Sequence, residues 1–330
     1  MVTLKDIAKL AHVNESTVSR ALNNSIYVHP ETKKRILETA KKLSYNPNTL
    51  RKAIEKGKTK TIGIIVPNLQ HNIFMDFVQN AERNASAVDY KIIIGISDDD
   101  SEKEADLLER MRYGLVDGIL ITSTGGNNHL LEDIDVSGTS IIQIFRMVDR
   151  KLSSVSVNYK QSVEIAVDNL LKNGSKNIGL INGYIKDQSY QEKLEAYESE
   201  MKQLKKPALF KNLNEYPKSF NLAGYDLASE LMAENPNLDG LLVANDTQAL
   251  GVMQYLEAKN MKVPNEMKVI SLAGCSMSNF SQTQISATIF PIENISMRAL
   301  SLLISKVEKL EDISVKHKVL NTKFVSRKTC

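Results

Sequence analysis

The stretch LKDIAKLAHVNESTVSRALNN, residues 4–24, combines two short helical patterns with a dense set of polar side chains. Its first half repeats apolar residues at the spacing of one helix face, namely Leu4, Ile7, Ala8 and Ala11. After a break at residues 12–13, a second helix is predicted over about residues 15–23, with Asn14 in the capping position. One face of this second helix is apolar, whereas the other carries Ser, Thr, Asn and Arg. A helix that only fills a core does not need so many hydrogen-bonding groups.

A third helix is predicted to begin at Pro30, because proline is favoured in the first helical turn. It continues through ETKKRILETAKKL, residues 31–43, and ends before YNPN at residues 45–48. The side chains expected to face inward are Ile36, Leu37, Ala40 and Leu43. The first 47 residues are therefore predicted to form a small domain of three helices.

The charge of the chain is unevenly distributed. Residues 1–60 contain 13 Lys and Arg against 5 Asp and Glu, whereas the remaining 270 residues contain 29 basic and 34 acidic residues. A basic head on a mildly acidic body suggests that the head binds a polyanion such as nucleic acid. The alternative is a solvated basic surface, which many small domains have.

The overall composition is that of a soluble globular protein, with 42% apolar and 25% charged residues in 330. The two cysteines, Cys275 and Cys330, are far apart and lack metal-ligand spacing, so we expect neither a disulfide framework nor a metal site. The first residues carry no apolar segment typical of a signal peptide, and no apolar run is long enough to span a membrane. We expect a cytoplasmic protein that needs no cofactor.

From Lys60 onward, apolar runs alternate with amphipathic helical patterns. The predicted strands cover residues 61–67, 90–97, 118–123, 140–145, 154–158, 177–183, 240–246, 268–274 and 285–291. Near-continuous apolar strands between helices indicate parallel sheets covered on both faces. Two such sets predict an α/β fold with two doubly wound parallel-sheet subdomains and a cleft between them. Ligands of such sheets bind beyond the carboxyl ends of the strands.

These patterns predict three parts: a helical head at 1–47, a basic linker at 48–59 and a core at 60–330. The linker is too polar to build a core, and an isolated helix of its length is barely stable. Within the core, the predicted first subdomain covers about 60–160 and 291–325, and the second covers about 161–290.

Several stretches resemble one known family. TLKDIAKLAHVNESTVSRALNN and VHPETKKRILETAKKLSYNPN, within residues 3–48, resemble the DNA-binding domain of LacI/GalR-family transcriptional repressors. Four later stretches resemble that family's effector-binding core, in the same order. They are KTKTIGIIVPN, ISDDDSEKEADLLERMRYGLVDGILI, VANDTQALGVMQYLEAKNMKVPNEMKVISL and TIFPIENISMRALSLLI. The resemblance implies a helix-turn-helix domain followed by a core like the type I periplasmic binding proteins.

In a helix-turn-helix, the second helix enters the major groove of DNA, so its outward side chains contact base edges and phosphates. Arg20 is expected either to bind a guanine or to hold a phosphate. Glu15 either accepts a hydrogen bond from a cytosine or only favours the helix N-terminus. The DNA-binding residues expected from the resemblance are Thr3, Asn14, Glu15, Ser16, Thr17, Ser19, Arg20, Asn23, Tyr45, Leu50 and Ile54.

Two positions depart from the family pattern. His12 stands in the turn where the family usually has glycine, so we expect this histidine to adopt a positive φ. The resemblance also implies that residues 48–56 form a hinge helix on operator DNA, where an apolar side chain wedges into the minor groove. The wedge is Ile54 in place of the usual leucine, and the alternative is that this segment is only a tether.

The resemblance further implies that a small polar metabolite, most often a sugar, binds between the two subdomains. The family's usual Arg and two Asp clamps correspond here to Lys193, Ala273 and Asn158. The residues expected to line the cleft are Phe74, Arg146, Asn158, Lys193 and Asp246. Two cations and a missing carboxylate favour an anionic effector, such as a sugar phosphate or a sugar acid. The alternative for each polar residue is an ordinary hydrogen bond at a strand end.

We therefore expect a homodimeric regulator, most simply a repressor, that binds a palindromic double-stranded operator of a carbohydrate-utilisation operon. The sequence does not determine whether the effector induces or corepresses. The alternative is a solute-binding protein with the same two-lobed core, which would lack the basic head. An enzyme is not expected, because no nucleotide-binding, metal-binding or nucleophile motif is present. The acidic run Asp98–Asp100 follows a strand and is expected to form a solvated turn.

Overall fold

The computed structural model describes residues 4–22, 27–43, 58–113, 115–274, 284–309 and 314–330. The chain divides into two compact units, residues 1–59 and residues 60–330. Across these described ranges, no helix is both long enough and apolar enough to cross a membrane.

The first unit contains three helices, α1 (Leu4–Leu10), α2 (Glu15–Leu22) and α3 (Pro30–Lys42). Their apolar faces meet in a small core that includes Ile7, Val18 and Ile36, each fully buried. Between α1 and α2 the backbone turns at His12, whose φ of 50° confirms the expected left-handed conformation. The N–H of Val13 then donates to the carbonyl of Ala8 at 3.0 Å, which closes the turn.

The prediction that Leu37 faces inward is wrong, because this side chain is 45% exposed. Leu37 follows Ile36 directly, and adjacent residues on a helix point about 100° apart. The three-helix core covers only the Ile36 side of α3.

The second unit contains two six-stranded sheets, one in each lobe. The first, in spatial order, consists of β11 (His317–Leu320), β5 (Ser154–Val157), β4 (Ser140–Phe145), β3 (Gly118–Ile121), β1 (Thr61–Val66) and β2 (Lys91–Ile96). The second consists of β12 (Lys323–Val325), β10 (Ser286–Ile289), β9 (Lys268–Gly274), β8 (Gly240–Val243), β6 (Ile178–Tyr184) and β7 (Leu209–Leu213). All pairings are parallel except that of β10 with β12.

Helices cover both faces of each sheet. One face of the first sheet is covered by α4 (Asn72–Ser86) and α11 (Ile292–Glu308). The other face is covered by α5 (Ser101–Arg112) and α6 (Asn128–Val136). One face of the second sheet is covered by α9 (Phe220–Glu234) and α10 (Asp246–Ala258). The other face is covered by α7 (Tyr159–Lys172) and α8 (Gln188–Gln203). Successive strand residues point to opposite faces, so Ile64 packs with α4 and Ile65 packs with α5. The predicted fold of two doubly wound parallel-sheet subdomains is confirmed.

The ends of the sheets differ from the predicted strand pattern. The short strands β7, β11 and β12 were not predicted, and β12 joins the second sheet although the predicted first subdomain extended to residue 325. Polar contacts hold this C-terminal segment on the second sheet. The hydroxyl of Thr329 donates to the carbonyl of Val269 at 2.7 Å and accepts from the N–H of Ser286 at 2.8 Å.

Lys60 is the first residue of the second unit, and several contacts fix it at the base of β1. Its ammonium lies 2.8 Å from a carboxylate oxygen of Glu308 and 4.3 Å from the ring centre of Tyr90. Its backbone N–H donates to Asp117 at 2.9 Å. The start of the core is therefore attached to the end of α11 and to the loop before β3.

Helices α9 and α10 cross at two glycines. A Cβ on Gly224 would lie 2.2 Å from the carbonyl oxygen of Gln248, and a Cβ on Gly251 would lie 1.9 Å from that of Asn221. Both distances are too short for van der Waals contact with backbone atoms, so this close crossing requires glycine at both positions.

We expect Gly251→Ala to lower the free energy of unfolding by about 1–3 kcal/mol, the usual cost of overpacking. Overpacking outweighs the roughly 1 kcal/mol that alanine gains in a helix interior. Denaturant unfolding of the core measures the change. Asp226→Ala, at an exposed position of α9, is the control and should leave the midpoint nearly unchanged. Equal stability of Gly251→Ala and the parent chain would contradict the close crossing.

Candidate functional site

The outward face of α2 is polar and solvent-accessible. Glu15, Ser16 and Arg20 are exposed, and Thr17 and Ser19 are half-buried. The opposite face holds the helix in place, because Val18 and Ala21 are buried against the other two helices. A short helix that presents hydrogen-bonding side chains on one face can lie in the major groove of DNA.

Asn14 precedes this helix and is exposed. Its carbonyl accepts the backbone N–H of Val18 at 3.1 Å, so it forms the start of the helical hydrogen-bond pattern. The remaining residues predicted to contact DNA lie outside the described residues, namely Thr3, Asn23, Tyr45, Leu50 and Ile54.

A narrow cleft lies between the two lobes of the core. Residues at the carboxyl ends of strands line it from both sides, including Asn68 and Arg146 from the first lobe and Asn245 and Ala273 from the second. This is the position at which open parallel sheets bind ligands.

Arg146 is the buried cation of the first lobe and is bound by carboxylates from both lobes. Its Nη1 donates to Asp99 at 2.5 Å and to the carbonyl of Ser123 at 3.1 Å, and its Nη2 donates to Asp187. The side chains of all three charged residues are about 95% buried. Burial alone would lower the pKa of Arg146, but the attraction of Asp187 and Asp99 outweighs burial and raises it.

Asp187 has two functions in this arrangement. One oxygen caps α8, accepting the backbone N–H of Ser189 at 2.7 Å and its hydroxyl at 2.8 Å. The other accepts from Arg146 across the cleft. The start of α8 in the second lobe is thus tied directly to the end of β4 in the first.

Further contacts bridge the lobes around this ion pair. The backbone N–H of Met147 donates to Gln188 at 2.9 Å, and the Asn68 amide donates to the hydroxyl of Tyr216. The rings of His71 and Phe220 lie 3.9 Å apart between centroids. The protein's own side chains therefore hold the two lobes together.

Two further basic side chains, those of Lys193 and His71, are buried in the cleft wall. Lys193 donates to the carbonyl of Ala244 at 3.0 Å, and burial lowers its pKa to about 8. Burial, reinforced by the charges of Lys193 and Arg146, lowers the pKa of His71 to about 3. At neutral pH the lysine is therefore mainly charged and the histidine is neutral.

Three of the five residues predicted to bind the effector line this cleft together: Phe74, Arg146 and Lys193. Asp246 is the first residue of α10 and lines a smaller adjoining hollow, which shares His71 and Ala273 with the cleft. Asn158 lines another hollow, which shares Phe145 and Tyr159 with the cleft. Its side chain caps α7 by accepting the N–H of Gln161 at 3.0 Å.

The sequence interpretation missed the two carboxylates that bind Arg146. The expectation of a solvated turn at Asp98–Asp100 holds for the exposed Asp98 and Asp100 and is wrong for Asp99, whose side chain is 4% exposed. A signal was present, because an acidic residue directly after a parallel strand lies at the edge where ligands bind. Among the described residues, no group of His, Cys, Asp and Glu is arranged to hold a metal ion.

Comparison with known protein families identifies both units. Residues 3–48 match the bacterial regulatory proteins of the lacI family, and residues 59–316 match the periplasmic binding proteins and sugar binding domain of the LacI family. The chain belongs to the LacI family. This LacI-family chain is a transcriptional regulator with a DNA-binding helix-turn-helix domain and a sugar-binding domain, and its family consists of regulators rather than enzymes.

Individual relatives resemble the chain over almost its full length. The probable HTH-type transcriptional repressor ExuR of Bacillus subtilis (strain 168) is 31% identical over 335 residues, covering 99% of this chain and 98% of the relative. A LacI-family regulator from Silicibacter pomeroyi has a TM-score of 0.87 at 20% identity, covering 100% and 99% of the two chains. The Lac repressor dimer bound to operator and the anti-inducer ONPF has a TM-score of 0.83 at 17% identity, covering 99% and 98%.

We expect Asp187→Asn to loosen the contact between the lobes, because it leaves the buried Arg146 with one carboxylate instead of two. Because asparagine can also cap α8, the expected loss of stability comes from the broken ion pair and not from the lost cap. Breaking a buried ion pair lowers the free energy of unfolding by about 3–5 kcal/mol. Because Arg146 keeps Asp99 as a partner, we expect a smaller loss of about 2–3 kcal/mol. Thermal unfolding of the core and hydrogen exchange at residues 185–190 measure the effect.

The control for this substitution is Asp100→Asn, since Asp100 also caps a helix but is exposed. This variant should change neither readout appreciably. If Asp187→Asn and Asp100→Asn behaved alike, the buried ion pair would not be what joins the lobes.

Proposed function

We propose that this regulator is a repressor of a carbohydrate-utilisation operon that binds a palindromic operator as a homodimer in the cytoplasm. In this proposal residues 1–47 bind DNA, residues 48–59 form the hinge, and residues 60–330 bind the effector and dimerise. The observation that carries the proposal is the exposed polar face of α2, held by a basic three-helix domain on the same chain as a polar interlobe cleft. A relative named as a probable transcriptional repressor supports repression rather than activation.

The alternative of a solute-binding protein with the same core is disfavoured. Such a protein would not need the helix-turn-helix unit, whose match extends over residues 3–48. Selection of bound fragments from random duplex DNA by the purified protein tests the proposal. Enrichment of a palindromic sequence is expected, and recovery of unrelated sequences would contradict it.

DNA recognition is assigned to the outward face of α2. Glu15 and Ser16 begin the helix, and recognition helices contact base edges with their N-terminal residues. Arg20 lies one turn further along and is exposed, so it can donate two hydrogen bonds to a guanine or bind a phosphate. Asn14, Thr17 and Ser19 are placed to bind phosphate oxygens.

We expect Arg20→Ala to weaken binding to the selected operator by about 1–3 kcal/mol, roughly fivefold to 150-fold. Fluorescence anisotropy with labelled operator measures this loss. Arg35→Ala removes the same charge from an exposed position of α3 and is the control. A loss for Arg35→Ala as large as that for Arg20→Ala would show that the charge matters and the position does not.

The effector is proposed to be a small, sugar-like and acidic molecule bound in the interlobe cleft. Aromatic rings form much of the wall, and apolar walls with a few polar groups are typical of small-molecule sites. Phe74 and Phe145 pack edge to face at 5.5 Å, next to Tyr159 and Tyr190. Lys193 adds a positive charge to this wall, which favours an anionic ligand such as a sugar phosphate or a sugar acid.

A homodimer is proposed because one edge of the first lobe exposes apolar side chains. The edge strand β2 leaves Ile94 and Ile96 about 40% exposed, and Met75 of the adjacent α4 is 44% exposed. Clustered exposed apolar residues at a sheet edge mark interaction surfaces. A second copy of the chain is the occupant that a palindromic operator requires.

We expect Ile94→Glu to shift the protein from dimer to monomer, because it buries a charge in the proposed interface. Sedimentation equilibrium measures the distribution. Val136→Glu adds the same charge at an apolar residue of α6 that is 88% exposed, and it should leave the dimer intact. A dimer constant unaffected by Ile94→Glu would place the interface elsewhere.

A further inference from the structure

Lys60, where the linker joins the core, is held at three points. Its backbone N–H donates to Asp117 at 2.9 Å, and its carbonyl accepts the N–H of Lys91 at 2.9 Å. Its ammonium lies 2.8 Å from Glu308 and 4.3 Å from the ring centre of Tyr90. The first residue of the core is therefore fixed both in position and in direction.

Glu308 is a well-ordered acceptor for this lysine. It is the last residue of α11, and its side chain is 24% exposed. The hydroxyl of Tyr90, a residue that is only 3% exposed, donates at 2.8 Å to the same oxygen that binds Lys60. An exposed ion pair usually stabilises little, because two long side chains must be ordered to form it. Here a buried hydroxyl already orders the carboxylate, so the pair can hold Lys60 in one place.

The backbone of Lys60 shows that the surrounding contacts determine its conformation. Its φ is 52°, in the left-handed region, which is unfavourable for a residue with a long side chain. A lysine in a free segment of chain would adopt an extended or a right-handed helical conformation instead. The core thus imposes a turn directly before β1, and this turn sets the direction of the chain where the linker ends.

This direction matters because the linker alone does not restrict where a head can reach. If the 12 residues at 48–59 were a free coil, their ends would lie about 17–21 Å apart on average. One base pair adds about 3.4 Å to a duplex. Two such linkers could therefore serve half-sites at several separations. A fixed starting point at each Lys60 narrows that range.

We propose that Lys60, Glu308 and Tyr90 form an anchor that selects the half-site spacing at which the dimer binds DNA. This inference rests on the proposed function, in which two heads of a homodimer bind one palindrome. The three side chains are positioning residues, since they act on the linker and need not touch DNA. With the anchor intact, both linkers leave their cores in one direction, and the heads reach half-sites of one separation. Without it, neighbouring separations become more nearly equivalent.

Fluorescence anisotropy of the full-length protein with a series of duplexes tests the anchor. The series contains the operator selected from random DNA, the same half-sites moved together or apart by one and two base pairs, and a single half-site. A change of two base pairs also turns one half-site by about 70° around the duplex. The parent chain should bind the selected spacing about tenfold more tightly than spacings changed by two base pairs, because a misplaced half-site loses base contacts.

Lys60→Met and Glu308→Ala each remove the ion pair of the anchor. Each should reduce the spacing preference by roughly threefold to fivefold, the upper range for a partly exposed ion pair. The two substitutions change the net charge in opposite directions, so the general attraction to DNA should fall in the first and rise in the second for every duplex alike. A loss of spacing preference that both variants share therefore comes from the anchor and not from charge.

Lys151→Met and Glu132→Ala are the matched controls. They break another ion pair of the first lobe, in which the ammonium lies 2.7 Å from a carboxylate that is 27% exposed. Neither substitution should change the spacing preference. Thermal unfolding and sedimentation equilibrium show whether each variant is folded and dimeric.

The possible outcomes separate the anchor from the proposed function. An unchanged spacing preference in folded, dimeric Lys60→Met and Glu308→Ala would overturn the anchor and leave the proposed function standing. Equal losses in the control variants, opposite shifts in the two anchor variants, or equal binding of all spacings by the parent chain would do the same. If the parent chain bound no palindrome more tightly than a single half-site, the proposed function itself would be overturned.

Discussion

The ion pair between Arg146 and Asp187 joins the two lobes of the core at the interlobe cleft. A guanidinium so deeply buried is stable only with carboxylate partners, and one of those partners belongs to the opposite lobe. Asp187 also caps α8, so the orientation of that helix, which carries Tyr190 and Lys193, depends on the same contact. Any ligand that enters the cleft must adapt to this contact or displace it. Occupancy of the cleft and the relative position of the lobes are therefore coupled.

The coupling has a structural route to the beginning of the core. β1 (Thr61–Val66) begins directly after Lys60 and ends directly before the cleft residues Pro67 and Asn68. Lys60 is held by Glu308 at the end of α11. Since one continuous strand connects the cleft with the junction, a shift of the lobes can be transmitted to the linker. In the proposed homodimer, such a shift would change how well the two recognition helices are presented to DNA.

The sequence predicts most of the fold because the strong signals are local. Apolar runs identified nine of the strands, and the helical period identified α1, α2 and α3. The strands that were missed are short and half-exposed, as in β7, or lie at sheet edges, as in β11 and β12. Such strands are defined by their pairing partners, and their own residues show little pattern. The error at Leu37 has a similar cause, because helical spacing does not show how much of the surface of α3 the neighbouring helices bury.

The candidate site is less predictable, since its residues are distant in the sequence. The family resemblance indicated Phe74, Arg146 and Lys193, which the structure brings together. Asp99 and Asp187 become important only because folding places both beside one guanidinium, and spacing along the chain does not show this. His71 was missed because a lone histidine is usually an ordinary core or surface residue. Asn158 caps a helix, a function that the sequence equally allows for an asparagine before a helical pattern.

The central claim is that the occupied cleft and the DNA-binding head affect each other's affinity. Thermodynamic linkage requires this effect to be reciprocal. The direct measurement is operator affinity with and without an effector found by screening sugars, sugar phosphates and sugar acids, together with affinity for that effector with and without operator. The account predicts that both ratios are equal and differ from one by about fivefold or more, the lower end of typical allosteric coupling. Operator affinity that is the same at zero and saturating ligand would contradict it.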